Sequence, residues 1–135
     1  MTPTDCHNAI IGAVQTAATN AGLSPVFPNR NANLAADQIR FDFEDMDPDD
    51  VALAGGQERA LPGIATITIV SEEGVGETAS AAYEAAVKSA LPAGLRISAT
   101  GGNVAILKTP AIRSGYPDGG FWRVPIVISY EGVPS

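Results

Sequence analysis

The stretch PDGGFWRVPIVISY, residues 117–130, carries the most regular pattern in this 135-residue chain. Its first four residues predict a tight turn, because proline presets φ and glycine accepts a positive φ. The rest predicts a strand, in which alternate residues share a face. One face carries Trp122, Val124, Ile126, Ile128 and Tyr130, and the other carries Phe121, Arg123, Pro125, Val127 and Ser129. Because both faces are partly apolar, we expect a helix layer or another subunit to cover the second face as well.

The segments before this strand predict two helices and several further strands. Thr2 to Asp5 places a hydroxyl cap, a proline and an acid in the order typical of a helix start, and Gly22 is a plausible stop. A second helix, with small residues on its apolar stripe, is expected from Glu77 or Thr78 to about Leu91. Residues 23–36 are expected to be irregular, and the alternating segments predict strands at 39–43, 63–71, 95–98 and 103–108. A further strand is expected between Lys108 and the turn, where Pro110 marks an edge or a bulge in the continuation toward Ile112.

These elements predict one α+β domain over residues 1–135. We expect a largely antiparallel or mixed sheet of about four to five strands, with the two helices packed on one face. A long connection at residues 45–62, first acidic and then glycine-rich, separates the first two strands.

Charge and composition exclude several classes of protein. The chain has a formal charge of −7, and no basic face is visible with which to hold a nucleic-acid backbone. An acidic surface is compatible with DNA passing nearby without binding, and equally with ordinary solubility. The single cysteine, Cys6, allows no intramolecular disulfide and no thiolate metal cage. No apolar run approaches the ~18 residues of a membrane span, so we expect no membrane partner and a soluble protein made in the cytoplasm.

The acidic connection invites a calcium-site interpretation, which fails on spacing. Asp45, Asp47 and Asp49 alternate as at the start of a calcium loop. The sixth loop position requires glycine and is Asp50, whereas the twelfth requires a bidentate acid and is Gly56. We therefore expect a solvated charged loop and no metal site.

The sequence offers no catalytic constellation and no cofactor motif. His7, the only histidine, follows Cys6 on a predicted helix, where neighbours point about 100° apart and do not share one pocket. The glycine-rich pieces lack phosphate-loop spacing and are expected to be turns. Trp122 and its aromatic neighbours lack a basic groove, which favours core or interface packing over base stacking. We expect no enzyme activity and no cofactor.

The ordered segments together resemble the small tail terminator-like proteins of long-tailed phages, especially a family found in phages and prophages of proteobacteria. The resemblance covers nearly the whole chain, and its last segment is the most specific. It rests on Thr2-Pro3-Thr4-Asp5, Pro28-Asn29, Gly55-Gly56 with Arg59, the junction from Leu91 to Ile97, and the segment from Asp118 to Tyr130.

This resemblance implies a lambda-type tail terminator fold and a structural role in the virion. Such proteins close as a six-fold ring on the last ring of tail-tube subunits, stop tube growth and present their other face to the head connector. The implied partners are further copies of the chain as a hexamer, the tail tube protein and a neck or connector protein, at the tail–neck junction. Another small neck or tail-completion protein remains open as an alternative, as does an adaptor that binds a peptide by strand addition at an edge that Pro110 suggests.

Two groups of residues are candidates for these contacts. Charged loops of both signs suit docking between neighbours, although a solvated arginine explains Arg59 equally well. The expected ring or tube interface comprises Glu58, Arg59, Phe121 and Arg123. The stretch from Asp42 to Asp50 is more acidic than in relatives, and we expect its acids to face the lumen or the tube, namely Asp45, Asp47, Asp49 and Asp50.

Overall fold

A computed structural model describes residues 1–27, 36–46, 60–72 and 77–135, except for the side chains of residues 77–79. In these ranges the chain forms two helices, α1 and α2, and eight strands. The helices are α1 Pro3–Asn20 and α2 Glu77–Ala90. The strands are β1 Ser24–Val26, β2 Gln38–Asp45, β3 Leu61–Glu72, β4 Arg96–Ala99, β5 Gly102–Ile106, β6 Ala111–Ile112, β7 Tyr116–Asp118 and β8 Phe121–Pro134.

All eight described strands belong to one mixed sheet in the order β1-β2-β3-β8-β5-β4, and β6 and β7 also pair with β8. Strand β1 runs parallel to β2, and every other pairing is antiparallel. The predicted α+β class with a largely antiparallel or mixed sheet is therefore confirmed.

Helix α1 begins where the sequence predicts it. The Thr2 backbone N–H donates to Asp5 Oδ2 at 2.7 Å, and the Asp5 backbone N–H donates to Thr2 Oγ1 at 3.3 Å. This capping box satisfies two backbone donors that the first helical turn leaves without intrahelical partners. At the other end Gly22 has φ +93°, a conformation that glycine adopts without steric cost.

Both helices pack on the same face of the sheet, and the core lies between them. The helices contribute the buried side chains Ile10, Val14 and Val87, Leu91 follows directly after α2, and the sheet contributes Ile39, Ile67, Ile126 and Ile128, among others. Ser80 of α2 is also buried, whereas the small residue Ala82 is exposed. Neither described helix is long and apolar enough to cross a membrane.

The final strand has the faces that its alternation predicts. Ile126, Ile128 and Tyr130 are buried in the core beneath the helices, Val124 is buried as well, and Trp122 is half-buried. The preceding turn is a two-residue loop in which Gly119 and Gly120 have φ +59° and +89° between the paired residues Asp118 and Phe121. Two consecutive positive φ values are what the favoured hairpin turn requires.

The expected count of four to five strands is wrong, because the described sheet has eight. Strand β1 lies within the stretch expected to be irregular, and the strand expected between Lys108 and the turn is formed as two short pieces, β6 and β7, of two and three residues. Segments this short carry no measurable alternation, and prolines occupy β1 and β7. They become strands because neighbouring strands offer unpaired backbone groups, which is a nonlocal cause.

In the described part of the chain, both helices lie on one face of the sheet, and no helix covers the second face. On that face Thr68 and Val70 are buried, while Pro125 and Val127 are half-buried. The sequence predicts that either a helix layer or another subunit covers this face, and the described residues contain no such helix layer.

Candidate assembly surface

The carboxylate of Asp45 lies where β2 ends against α1, in contact with two side chains from distant parts of the sequence. His7 Nε2 lies 2.7 Å from Asp45 Oδ1, and the His7 ring stacks on Phe43 at a centroid distance of 4.1 Å. Tyr130 Oη donates to the same Asp45 oxygen at 3.4 Å, a long and therefore weak bond. The charge of this predicted acidic-loop residue thus already has partners within its own chain.

Burial keeps the nearby phenol and thiol protonated. The pKa of Tyr130 is raised, first by burial and then by the negative charge of Asp45. The pKa of the Cys6 thiol is raised by burial and by the charges of Asp45 and Asp5. Cys6 is fully buried, so its sulfur acts as a small apolar side chain. Neither group is prepared to act as a nucleophile, because nucleophilic attack needs the thiolate or phenolate.

The described residues hold no group of three or more His, Cys, Asp or Glu side chains placed to bind a metal ion. His7 and Asp45 form a pair, and among the described residues no third His, Cys, Asp or Glu side chain is placed to complete a metal site with them. The contact between His7 and Asp45 links the start of α1 to the end of β2.

Arg123, a predicted interface residue, lies at the opposite end of the sheet and on its outer face. Its Nη1 donates to Asp118 Oδ2 at 2.9 Å, and its guanidinium carbon lies 5.9 Å from the centroid of the Tyr116 ring. Its Nε is buried without a hydrogen-bond partner. Phe121 is half-buried and pairs with Asp118 across the hairpin. Arg123 therefore holds β7 against β8, and only about a fifth of its side chain is exposed, 21%.

Asp45 and Arg123, described members of the two predicted groups, lie far apart. Asp45 shares a row of the sheet with Tyr130, whereas Arg123 shares a row with Val70 and Gln38. Seven residue steps along the strand separate these rows, about 23 Å at the usual rise. The remaining predicted residues lie outside the described part of the chain, namely Glu58, Arg59, Asp47, Asp49 and Asp50.

Five large apolar side chains are exposed among the described residues, and the sequence interpretation identified none of them. They belong to residues at the two lateral sides of the sheet. They are Phe27 and Met46 on the β1–β2 side, and Leu107, Ile112 and Tyr116 along the β5–β7 side. Their exposure follows from short edge segments, in which no alternation distinguishes a buried position from an exposed one.

An open groove connects Phe27 to the Asp45 contact. Phe27 and His7 both line it, together with Ile11 of α1, and its volume is about 480 Å³. Because His7 binds Asp45, the exposed ring of Phe27 lies near the acidic end of β2. The β1–β2 side of the molecule therefore combines exposed apolar surface with carboxylates.

Solved structures share this architecture. One protein without a functional name superposes with a TM-score of 0.80 at 16% identity, over 100% of this chain and 98% of its own. A chain from the virion of a native gene transfer agent particle superposes with a TM-score of 0.66 at 14% identity, over 98% of this chain and 96% of its own. At these identities the likeness establishes the fold alone.

Comparison with protein families gives the assignment that fold likeness cannot. No curated protein sequence matches the chain significantly. The sequence profile of the family described as phage tail terminator protein matches residues 5–130, which is nearly the whole domain. The match includes both helices and most of β8, the elements that build the core. The chain therefore belongs to the phage tail terminator family.

Proposed function

We propose that this chain ends the phage tail tube. Six copies form a ring on the last ring of tube subunits, and the exposed side of that ring joins the tail to the neck or head connector. DNA passes through the ring without specific binding. The protein belongs to the virion at the tail–neck junction, after assembly in the host cytoplasm.

The family match over residues 5–130 is the observation that carries this proposal. Ending a polymer requires a protein to occupy the surface on which the next subunit would add, which demands complementary shape and charge and no reactive group. Exposed apolar side chains at the lateral sides of the sheet support association with neighbouring copies in a ring that covers this surface. The formal charge of −7 supports passage of DNA without adhesion.

The residues expected to make these contacts remain proposals. Glu58, Arg59 and Phe121 are proposed to contact a neighbouring copy or the tube directly. For Arg123 we propose an indirect contribution, because its guanidinium binds Asp118 and lies over Tyr116, an exposed ring that it holds in place.

The acidic connection is proposed to face the lumen or the tube through Asp47, Asp49 and Asp50. Asp45, at its start, is proposed to position this connection, because His7 Nε2 lies 2.7 Å from its carboxylate and links it to α1. Repulsion between these carboxylates and DNA phosphates would keep the genome sliding.

Deletion of the gene from its phage tests the proposal by electron microscopy of the particles. We expect tails much longer than normal that carry no heads, and wild-type protein supplied in trans should restore normal length. Tails of normal length without heads would instead indicate a neck-joining protein. Infectious particles with normal tails would refute both assignments.

A further inference from the structure

The two lateral sides of the sheet carry opposite charges as well as exposed apolar side chains. We define the acidic edge as Asp42, Glu44 and Met46 together with Phe27, and the basic edge as Leu107, Lys108, Ile112, Arg113 and Tyr116. Every one of these nine residues is exposed. The two edges therefore present complementary charges around apolar surface, a composition typical of a protein interface.

The separation of charge is pronounced for so acidic a chain. Residues 95–117 contain the cations Arg96, Lys108 and Arg113 and no acid, although the whole chain has a formal charge of −7. On the other side, β2 ends in three acids within four residues, Asp42, Glu44 and Asp45. A copy placed beside another with the same orientation would meet an edge of opposite charge.

The two edges lie at the same height along the strands. Glu44 pairs with Ile64, Ile64 pairs with Ser129, and the Leu107 backbone N–H donates to the Ser129 carbonyl at 2.9 Å. One row of the sheet thus runs from the acidic edge to the residue before Lys108.

The second pair of opposite charges, Asp42 and Arg113, is offset by two residues along the strands, about 7 Å. Asp42 pairs with Thr66, Thr66 with Val127, and Val127 with Ala111, two residues before Arg113. A closed cyclic ring relates its copies by rotation alone, with no shift along the axis. Edges whose charged residues lie within two residues of the same height satisfy that condition when the strands run roughly along the ring axis, because lysine and arginine side chains are long enough to span the offset.

Along both edges, the outermost strands have backbone N–H and C=O groups that pair with no further strand among the described residues. Strand β1 covers β2 only at Gln38, Ile39 and Arg40, so the outer side of β2 from Phe41 to Asp45 meets no further strand among the described residues. On the other side, β6 and β7 pair with β8 alone within the described ranges. Exposed edges of this kind accept another chain readily.

We propose that the acidic edge of one copy binds the basic edge of the next, head to tail, and that this single contact repeats around the ring. The inference rests on the proposed function, since a ring is part of it. The occupant of each edge is a second copy of this chain, because the charges, the apolar positions and the heights of the two edges match each other. A tube subunit or an added peptide strand at either edge is the competing outcome.

Charge reversal at one edge and then at both tests the contact. The acidic edge is reversed by Asp42→Lys with Glu44→Lys, and the basic edge by Lys108→Glu with Arg113→Glu. All four side chains are exposed, so each variant should melt close to the wild type. Lys88→Glu, an exposed charge change on α2 away from both edges, is the matched control.

Each variant is supplied in trans to a phage lacking the gene, and tail length and infectious titre are measured. Either single-edge variant should give overlong tails and lose at least 100-fold in titre, whereas Lys88→Glu should behave as wild type. An equal mixture of the two single-edge variants should restore both readouts, because they can alternate around an even-numbered ring. The chain with all four substitutions should also restore them.

Three outcomes would overturn the proposed contact. One is a single-edge variant that ends tails like the wild type, and another is a mixture of folded variants that fails to restore them. The third is a failure to cross-link neighbouring copies. For this test Glu44→Cys and Lys108→Cys are combined in one chain that keeps the buried Cys6, and assembled particles are treated with a cross-linker. A short bis-maleimide should link neighbours into multimers up to the full ring, and a Glu44 and Lys88 cysteine pair should not; absence of that ladder contradicts the contact.

Failure of the edge contact differs from failure of the proposed function. If tails have normal length without the protein, the function is wrong before any edge is tested. If tails become overlong without it but charge reversal changes nothing, the protein ends the tail through a different interface between copies.

Discussion

Adding one methyl group at Gly132 should destabilise the fold, because the helix α1 lies directly against this position of β8. A Cβ built on Gly132 lies 2.5 Å from Cys6 Sγ and 3.2 Å from both Leu61 Cβ and Met1 Sδ. Nonbonded heavy atoms prefer roughly 3.5–4.0 Å, so the methyl overlaps the sulfur by about 1 Å. Overpacking of this kind costs about 2 kcal/mol.

A double-mutant cycle with Cys6→Ala isolates the cause. Removing the buried sulfur alone should cost about 1 kcal/mol, through lost burial and a small cavity. The Gly132→Ala methyl then occupies the space that the sulfur vacates, so the double variant should also lose only about 1 kcal/mol. Independent effects would sum to about 3 kcal/mol, which leaves a coupling of about 2 kcal/mol.

Thermal and urea unfolding, followed by circular dichroism at one fixed protein concentration, measure these differences. At roughly 4 °C per kcal/mol for a domain of this size, Gly132→Ala should lower Tm by about 8 °C and the double variant by about 4 °C. Gly12→Ala is the matched control, because nothing lies within 4 Å of its added methyl. On an exposed helix position it should stabilise by about 0.5–1 kcal/mol.

Additivity would refute the reasoning. If the cycle closes to within about 0.5 kcal/mol, the sulfur is not what the Gly132 methyl meets. Equal effects of the Gly132 and Gly12 substitutions would show that glycine propensity, and not helix-to-sheet packing, determines the result.

Two further predictions concern charge. Burial and the Asp45 carboxylate raise the pKa of Tyr130, so above a pH of about 10 the unfolded chain loses this proton before the native one and stability falls as pH rises. Between pH 8 and pH 11, urea unfolding should show a smaller loss of unfolding free energy for Tyr130→Phe than for the wild type, and an equal loss would contradict this prediction. Reversal of Asp47, Asp49 and Asp50 to lysine should slow DNA ejection or block tail joining, as measured by ejection kinetics and particle counts, and unchanged infectivity would exclude a lumen-facing role.

The regular elements could be predicted from the sequence because their signals are local. The Thr2–Asp5 capping box fixes the start of α1, and alternation over residues 122–130 assigns the faces of β8. The resemblance carried by these segments agrees with the family match. The candidate contact residues stay predictions, since most of them lie outside the described ranges.

Only the tertiary structure decided what lies along the edges of the sheet. Strand β8 is 14 residues long, and β5 pairs with it only from Tyr130 to Pro134. The remaining backbone groups on that side need partners, and residues 107–118 supply them as β6 and β7, which leaves Leu107 and Ile112 at the surface.

The contact between Asp45 and His7 likewise joins residues 38 positions apart. Sequence determines structure locally through caps and periodicity, whereas edge pairing and long-range contacts depend on which unsatisfied groups the folded chain brings within reach. The identity of this protein could therefore be inferred from its amino acids, and the surfaces it offers to another copy could be inferred only from its fold.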